Sequence, residues 1–368
     1  MSRPDVEVDG LDVAAYTVGT DEPESDGTLA WDSTTIVVVH AHGGGRTGLG
    51  YTYGPPAVGA LIHGTLAPIA EGHDALAPPR AWAAMRAALR NAGQSGIGAM
   101  ALSAVDIALH DLRARLLDLP LTAALPRFRD EVPAYGSGGF TSYSDARLAG
   151  QLGGWAAQGF RNVKMKVGRD PGRDSDRIRV AREAIGDDVE LMVDANGAYD
   201  PRTAREWAIR YAGAGVGYFE EPVSSDDVAG LRRVRDGTPP GMAIAAGEYA
   251  WSRFDVERLL SHEAVDIAQA DVTRCGGITE LVRIDALCAA RNRPFSAHCA
   301  PAVSAHAGCL SETLVHLEYF HDHARVEGML FDGTLTPADG VLRPDRSVPG
   351  LGLELKGADA EPYLAWRP

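Results

Sequence analysis

Seven polar or charged residues return at nearly constant intervals through the second half of the chain. Lys166, Asp194, Glu220, Glu248, Asp271, His298 and Glu318 are separated by 28, 26, 28, 23, 27 and 20 residues, and each stands at or near the end of a short apolar run. One strand, one helix and two loops consume a stretch of that length. The spacing therefore predicts an α/β fold, a TIM-like (β/α) barrel of seven to eight units, whose C-terminal strand ends carry the chemistry. The runs 132–137, 162–167, 189–196, 218–222, 243–248, 265–272, 294–298 and 315–319 read as the strands. Segments such as 175–185 and 279–291 read as helices between them.

The N-terminal third has a different texture. Residues 34–40 (TTIVVVH) are β-branched and strand-like. Gly43, Gly45 and Gly48 then satisfy G-x-G-x-x-G, but a nucleotide loop needs a helix to open there. Tyr51, Tyr53, Pro55 and Pro56 follow instead, so a turn and a second strand are expected. Over 97–117, Ala101, Val105, Ala108, Leu109, Leu112 and Leu116 repeat with a helical period that stops before Pro120. This α+β unit, residues 1–125, is expected to cap a barrel spanning 126–326. The Pro- and Gly-rich segment 327–368 is too long and apolar for a linker, and is expected to return to the cap. The acidic stretch 21–27 reads as a mobile loop. Together with 42–56 it is placed to close over the barrel mouth, where His42, Arg46, Tyr51 and Tyr53 are candidates to read the far end of a substrate.

Charge narrows the partners. A net charge of −15 disfavours a nucleic acid or an anionic membrane, each of which wants a basic patch. No apolar run approaches the roughly 18 residues of a membrane span, and the first residues lack the basic and apolar parts of a signal peptide. Cys275, Cys288, Cys299 and Cys309 form no CxxC pair and read as free thiols in a reducing compartment. A cytoplasmic protein acting on a small molecule is expected.

In NVKMKV, alternation puts Lys164 and Lys166 on one face of a strand and Val163, Met165 and Val167 on the other. In a barrel the apolar face meets the helices, so both lysines point inward. Their mutual repulsion and lost hydration are expected to lower a lysine pKa, which suits a general base. Asp194, Glu220 and Glu248 end successive strands, and neighbouring strands lie about 4.8 Å apart. Three converging carboxylates repel unless a cation sits among them, and an all-oxygen set favours Mg²⁺ or Mn²⁺ over zinc. Glu221, next to Glu220, is expected to alternate away. Asp271 and His298 end adjacent strands, so the carboxylate can hold the imidazole and fix its tautomer. Lys166 and His298 then flank whatever the metal holds. Glu318 and Asn196 can hydrogen-bond a substrate oxygen.

Together KMKVG, VDANG, FEEP, AAGE, QADVTRCGG, SAHC and HLEYF resemble, in order and spacing, the motifs of the enolase superfamily, mandelate racemase subgroup. The helix SAVDIALHDLRARLLDLPL and the ending PGLGLEL resemble that subgroup's capping domain. The resemblance implies that Asp194, Glu220 and Glu248 bind Mg²⁺. It implies that Lys166 is the base for one face of an α-carbon and the His298–Asp271 dyad serves the other. Lys164 and Glu318 would help bind a carboxylate or enediolate, and Asn196 the substrate. Relatives of this kind are usually symmetric assemblies, so a homo-oligomer is expected. No lysine ends strand six, where cycloisomerase-type relatives carry one, which disfavours the muconate-lactonising and dipeptide-epimerase branches.

The leading expectation is a Mg²⁺-dependent acid-sugar dehydratase. The base takes the proton α to the carboxylate, an enediolate forms, and the β-hydroxyl leaves with general-acid help from His298, giving a 2-keto-3-deoxy acid. A racemase or epimerase of a 2-hydroxy acid is the alternative. A non-catalytic carboxylate-binding protein ranks third, because it predicts a missing base or ligand and none is missing.

Overall fold

The computed structural model describes residues 6–368. Eight parallel strands close into a barrel: β4 (Val132–Gly138), β5 (Asn162–Lys166), β6 (Glu190–Asp194), β7 (Val216–Glu220), β8 (Ala243–Ala246), β9 (Ile267–Ala270), β10 (Phe295–Ala297) and β11 (Leu314–Phe320). β11 pairs with β4, so no edge is left open. All eight expected strands are present, and a helix follows each, including Pro171–Ile185 and Ile278–Ala290. Val163, Met165 and Val167 pack into the helical shell, as alternation requires. The opposite faces fill the barrel floor with Tyr135, Met192, Tyr218 and Ala245.

The cap begins with three antiparallel strands, β1 (Gly10–Ser25), β2 (Ala30–Gly43) and β3 (Arg46–Tyr53). Both sheet faces are buried. Val37, Val39 and Ala41 join the cap's own helical core, while Ile36 and Val38 join the core continuous with the barrel. Residues 43–48 form a hairpin, as expected, and no helix opens there. The stretch expected to be a mobile loop at 21–27 lies mostly within β1, which pairs through Ser25. The chain does return: Leu364–Trp366 pairs antiparallel with β1 and completes a four-stranded sheet. Among the described residues no helix is long and apolar enough to cross a membrane.

Two contacts fix the cap, one inside it and one to the barrel. The helix Ile97–Leu116 lies against β3, and a Cβ on Gly50 would stand 2.3 Å from Ala104 O and 2.4 Å from Ala108 N. Only a residue without a side chain allows that approach. Gly50→Ala is therefore expected to lower the free energy of unfolding by about 1–3 kcal/mol, the usual cost of overpacking. A urea titration with an unchanged midpoint would show that the helix can back away. From the same helix, Asp106 accepts hydrogen bonds from Thr279 N (2.8 Å) and Thr279 Oγ1 (2.6 Å). Polar bonds thus tie the cap to the first turn of the helix Ile278–Ala290 that follows β9.

Candidate active site

The barrel and cap enclose a cavity of about 480 Å³ at the C-terminal strand ends. Strand register sets its floor: Lys166 pairs with Asp194, and Asp194 with Glu220, so the three stand at one level. Glu248 lies past the end of β8, beyond Gly247, whose φ is +134°. A Cβ there would come within 2.2 Å of Gln269 O, so the turn that delivers Glu248 demands glycine. Asp271 and His298 each follow directly on the last residue of β9 and β10.

Asp194, Glu220 and Glu248 are buried, and their nearest oxygens lie within 4.8 Å of one another. Asp194 Oδ2 accepts from Lys166 Nζ at 2.5 Å, and its Oδ1 accepts from the Asn196 backbone N–H at 2.8 Å. Glu220 Oε2 accepts from Lys164 Nζ at 2.6 Å, while its buried Oε1 has no partner. An oxygen-only set with an orphaned buried acceptor fits a hard divalent cation. Burial, opposed by Lys164 and reinforced by Asp194 and Glu318, pushes the Glu220 carboxyl up to about 8.

The dyad is formed. His298 Nδ1 lies 2.8 Å from Asp271 Oδ2, and Asp271 also accepts from Thr273 N and Oγ1 at 2.7 Å each. Nε2 faces the cavity side, 3.2 Å from Glu248 Oε2 and 3.4 Å from Glu318 Oε2. Glu318 in turn accepts from Ser137 Oγ at 2.6 Å and pairs with Lys164 at 2.8 Å. Asn196, at φ +45°, lines the cavity with its side-chain oxygen unpartnered. All nine predicted site residues thus meet in one place.

Three readings change. The lysine pair does not depress itself. Burial alone lowers both, but Glu220 and Glu318 facing Lys164, and Asp194 facing Lys166, outweigh it and hold both ammoniums above the ordinary lysine range. Glu221 does not alternate away. At φ +37° it leaves the strand geometry, and burial with the charges of Glu248, Asp194 and Glu220 pushes its carboxyl well above the usual range. Of the four cap candidates only Tyr53 lines the cavity. Tyr51 donates to Glu327 Oε1 at 2.5 Å, His42 pairs with Asp12 at 2.9 Å, and Arg46 sits exposed at the hairpin turn.

The cavity also takes residues the sequence reading passed over: Leu29, Trp31 and Thr35 from β2 and the turn before it, and Tyr249, Arg274 and Cys299 from barrel loops. The last three follow directly on or near Glu248, Asp271 and His298, and that adjacency was the available signal. Arg274 Nε is buried without a hydrogen bond and lies 3.7 Å from Asp271 Oδ2, so its charge bears on the dyad.

Gly247→Ala is expected to weaken divalent-cation binding at the triad about 10–100-fold, the usual effect of disturbing what supports a ligand, because Glu248 must move. Titration calorimetry with Mg²⁺ checks it; wild-type affinity would mean the turn relaxes without shifting the carboxylate.

Known proteins share this plan. Residues 146–360 match the family described as enolase C-terminal domain-like, and residues 15–125 match the mandelate racemase / muconate lactonizing enzyme N-terminal domain. D-galactarolactone cycloisomerase of Agrobacterium fabrum is 34% identical over 73% of this chain and 71% of its own length. A mandelate racemase/muconate lactonizing enzyme-like protein from Rubrobacter xylanophilus is 65% identical, with a TM-score of 0.96 over 97% of this chain and 99% of that one. L-talarate/galactarate dehydratase from Salmonella typhimurium LT2, liganded with Mg and L-lyxarohydroxamate, is 26% identical, with a TM-score of 0.90 over 100% of this chain and 96% of that one.

Proposed function

This chain belongs to the mandelate racemase/muconate lactonizing enzyme family of the enolase superfamily, and we propose that it is a Mg²⁺-dependent acid-sugar dehydratase. The observation that carries the reading is the flanking of the Asp194, Glu220 and Glu248 triad by Lys166 on β5 and by the His298–Asp271 pair after β9 and β10. Mg²⁺, with Mn²⁺ as a chemical substitute, would be held by the three carboxylates. Bound there, it supplies positive charge against the second negative charge that develops on a carboxylate when its α-proton leaves. A Lys or His base with Mg²⁺ on an enediolate is the general arrangement for enolase-superfamily sites.

This chain's residues divide the remaining work. Were Asp194 committed to the cation, its charge would no longer hold Lys166 protonated. The neighbouring Lys164 ammonium then favours the neutral amine, so Lys166 can take the α-proton. Lys164 and Glu318, paired at 2.8 Å, are set to bind the substrate carboxylate and its enediolate, and Asn196 a hydroxyl. His298, oriented by Asp271, delivers a proton to the departing β-hydroxyl. The cap strands contribute Trp31, Thr35 and Tyr53 to the cavity wall, and water displaced there by a bound substrate would strengthen each of these interactions.

Two neighbouring reactions begin with the same proton abstraction. Racemisation or epimerisation of a 2-hydroxy acid would use Lys166 and His298 as bases on opposite faces. Cycloisomerisation is the reaction named for one relative, the 34% identical D-galactarolactone cycloisomerase, and is the second alternative. Proton NMR in D₂O with Mg²⁺, screening aldonic acids, aldaric acids, their lactones and simple 2-hydroxy acids, separates them. Dehydration leaves a keto product with a deuterated C3 methylene. Inversion with α-deuteration and no keto product would establish the racemase, and reaction of a lactone alone would establish the cycloisomerase.

A further inference from the structure

Cys299 has no part in the chemistry above, yet its thiol sits against the dyad. Sγ lies 3.2 Å from His298 Nε2 and 3.3 Å from Glu318 Oε2, and Nε2 and Oε2 are 3.4 Å apart. All three side chains are buried, and all three line the cavity. The backbone is bent to achieve this. Cys299 and Ala300 both stand at φ +46°, a region L-residues rarely enter, and such departures gather at functional positions.

We propose that His298 Nε2, Cys299 Sγ and Glu318 Oε2 form a second metal site, selective for a borderline-soft cation such as Zn²⁺ and separate from the all-oxygen Mg²⁺ triad. Zinc binds thiolate at about 2.3 Å, imidazole at about 2.0–2.1 Å and carboxylate at about 2.0–2.2 Å, which gives tetrahedral edges of about 3.3–3.6 Å. The observed triangle needs only a few tenths of an ångström to reach that. Asp271 completes a second requirement. A ligating histidine nearly always passes its other ring N–H to a carboxylate or carbonyl, and Asp271 Oδ2 sits 2.8 Å from Nδ1. Mg²⁺, which demands oxygen and octahedral geometry, is a poor occupant of an N, S, O triangle. Glu248 Oε2, 3.2 Å from Nε2, joins the two sites at an edge.

Binding sends two protons to solvent, one from the Cys299 thiol and one from Nε2 of the protonated His298, and puts a metal–sulfur and a metal–nitrogen bond in their place, with no change of oxidation state. It also consumes the Nε2 lone pair. If His298 transfers protons in turnover, as proposed above, occupancy switches the enzyme off. The site itself rests only on the three ligand atoms.

The test separates the two claims. The full chain in excess Mg²⁺ is titrated with Co²⁺, and thiolate-to-cobalt charge-transfer absorption is followed. One equivalent is expected to raise the band, Zn²⁺ to displace it, and Cys299→Ser to lose it. Persistence of the band in Cys299→Ser, or its absence in the wild type, overturns the site. Zinc X-ray absorption on Mg²⁺-loaded wild type with one equivalent of Zn²⁺ needs no variant. A sulfur neighbour supports the site, and nitrogen and oxygen neighbours alone overturn it. Zn²⁺ is expected to inhibit the wild type at concentrations lower by at least about 10-fold than Cys299→Ser, each relative to its own uninhibited rate. A confirmed sulfur neighbour without inhibition would leave the site standing and remove His298 from the proton transfers.

Discussion

Asp194→Asn is expected to abolish turnover and Mg²⁺ binding together. Asp194 stands at the centre of the site: Oδ2 holds Lys166 at 2.5 Å and lies 3.7 Å from Lys164, and its neighbours in the triad are Glu220 and Glu248. Replacing the carboxylate by an amide removes one anionic ligand and turns a donor toward the cation. The transition-state stabilisation at stake is several kcal/mol, so the rate falls by about 10³-fold or more. Thermal melting reads the metal directly. A ligand at 100 times its Kd stabilises the folded state by about 2.7 kcal/mol, so Mg²⁺ raises the melting temperature of the wild type and leaves the variant unmoved. A variant still stabilised by Mg²⁺ would place the cation elsewhere.

The second large effect concerns the order of proton transfers. His298→Asn keeps a polar group of similar size beside Asp271 but cannot donate a proton from Nε2. Elimination is expected to slow by about 10²–10⁴-fold, the range for losing a general acid. Exchange of the substrate α-proton with D₂O is expected to continue, because Lys166 is untouched. Lys166→Met reverses the pattern: exchange and elimination both stop, while Mg²⁺ binding remains. If His298→Asn stops exchange as well, His298 is the abstracting base. Full activity in His298→Asn would reduce the dyad to a structural pair.

Much of this site was legible in the one-dimensional chain. The spacing from Lys166 to Glu318 implied the barrel because every β/α unit must cross and recross one layer of fixed thickness. Alternation in NVKMKV told which lysine faces point inward, and the structure packs Val163, Met165 and Val167 outward as that required. Period and spacing are local properties, so they survive without an alignment or a structure. Glu221 shows the limit. Alternation assigns it to the outer face, but a single residue at φ +37° ends the alternation, and the buried carboxyl is pushed well above the usual range by burial and by the charges of Glu248, Asp194 and Glu220.

The sequence by itself determined the barrel, the capping unit and the residues gathered at the strand ends, because hydrophobic periodicity and β/α spacing leave few alternatives. The tertiary structure alone decided which cap residues meet the cavity and how the site is charged. Tyr53 reaches the cavity while Tyr51, two positions away, is buried against Glu327. Lys164 and Lys166 are held protonated by carboxylates brought from β6, β7 and β11, not deprotonated by each other. Cys299 meets His298 and Glu318 through two residues in the left-handed region. The common reason is that electrostatic energy and ligand geometry depend on distances of a few ångströms between residues far apart in the chain, and only the folded packing sets those.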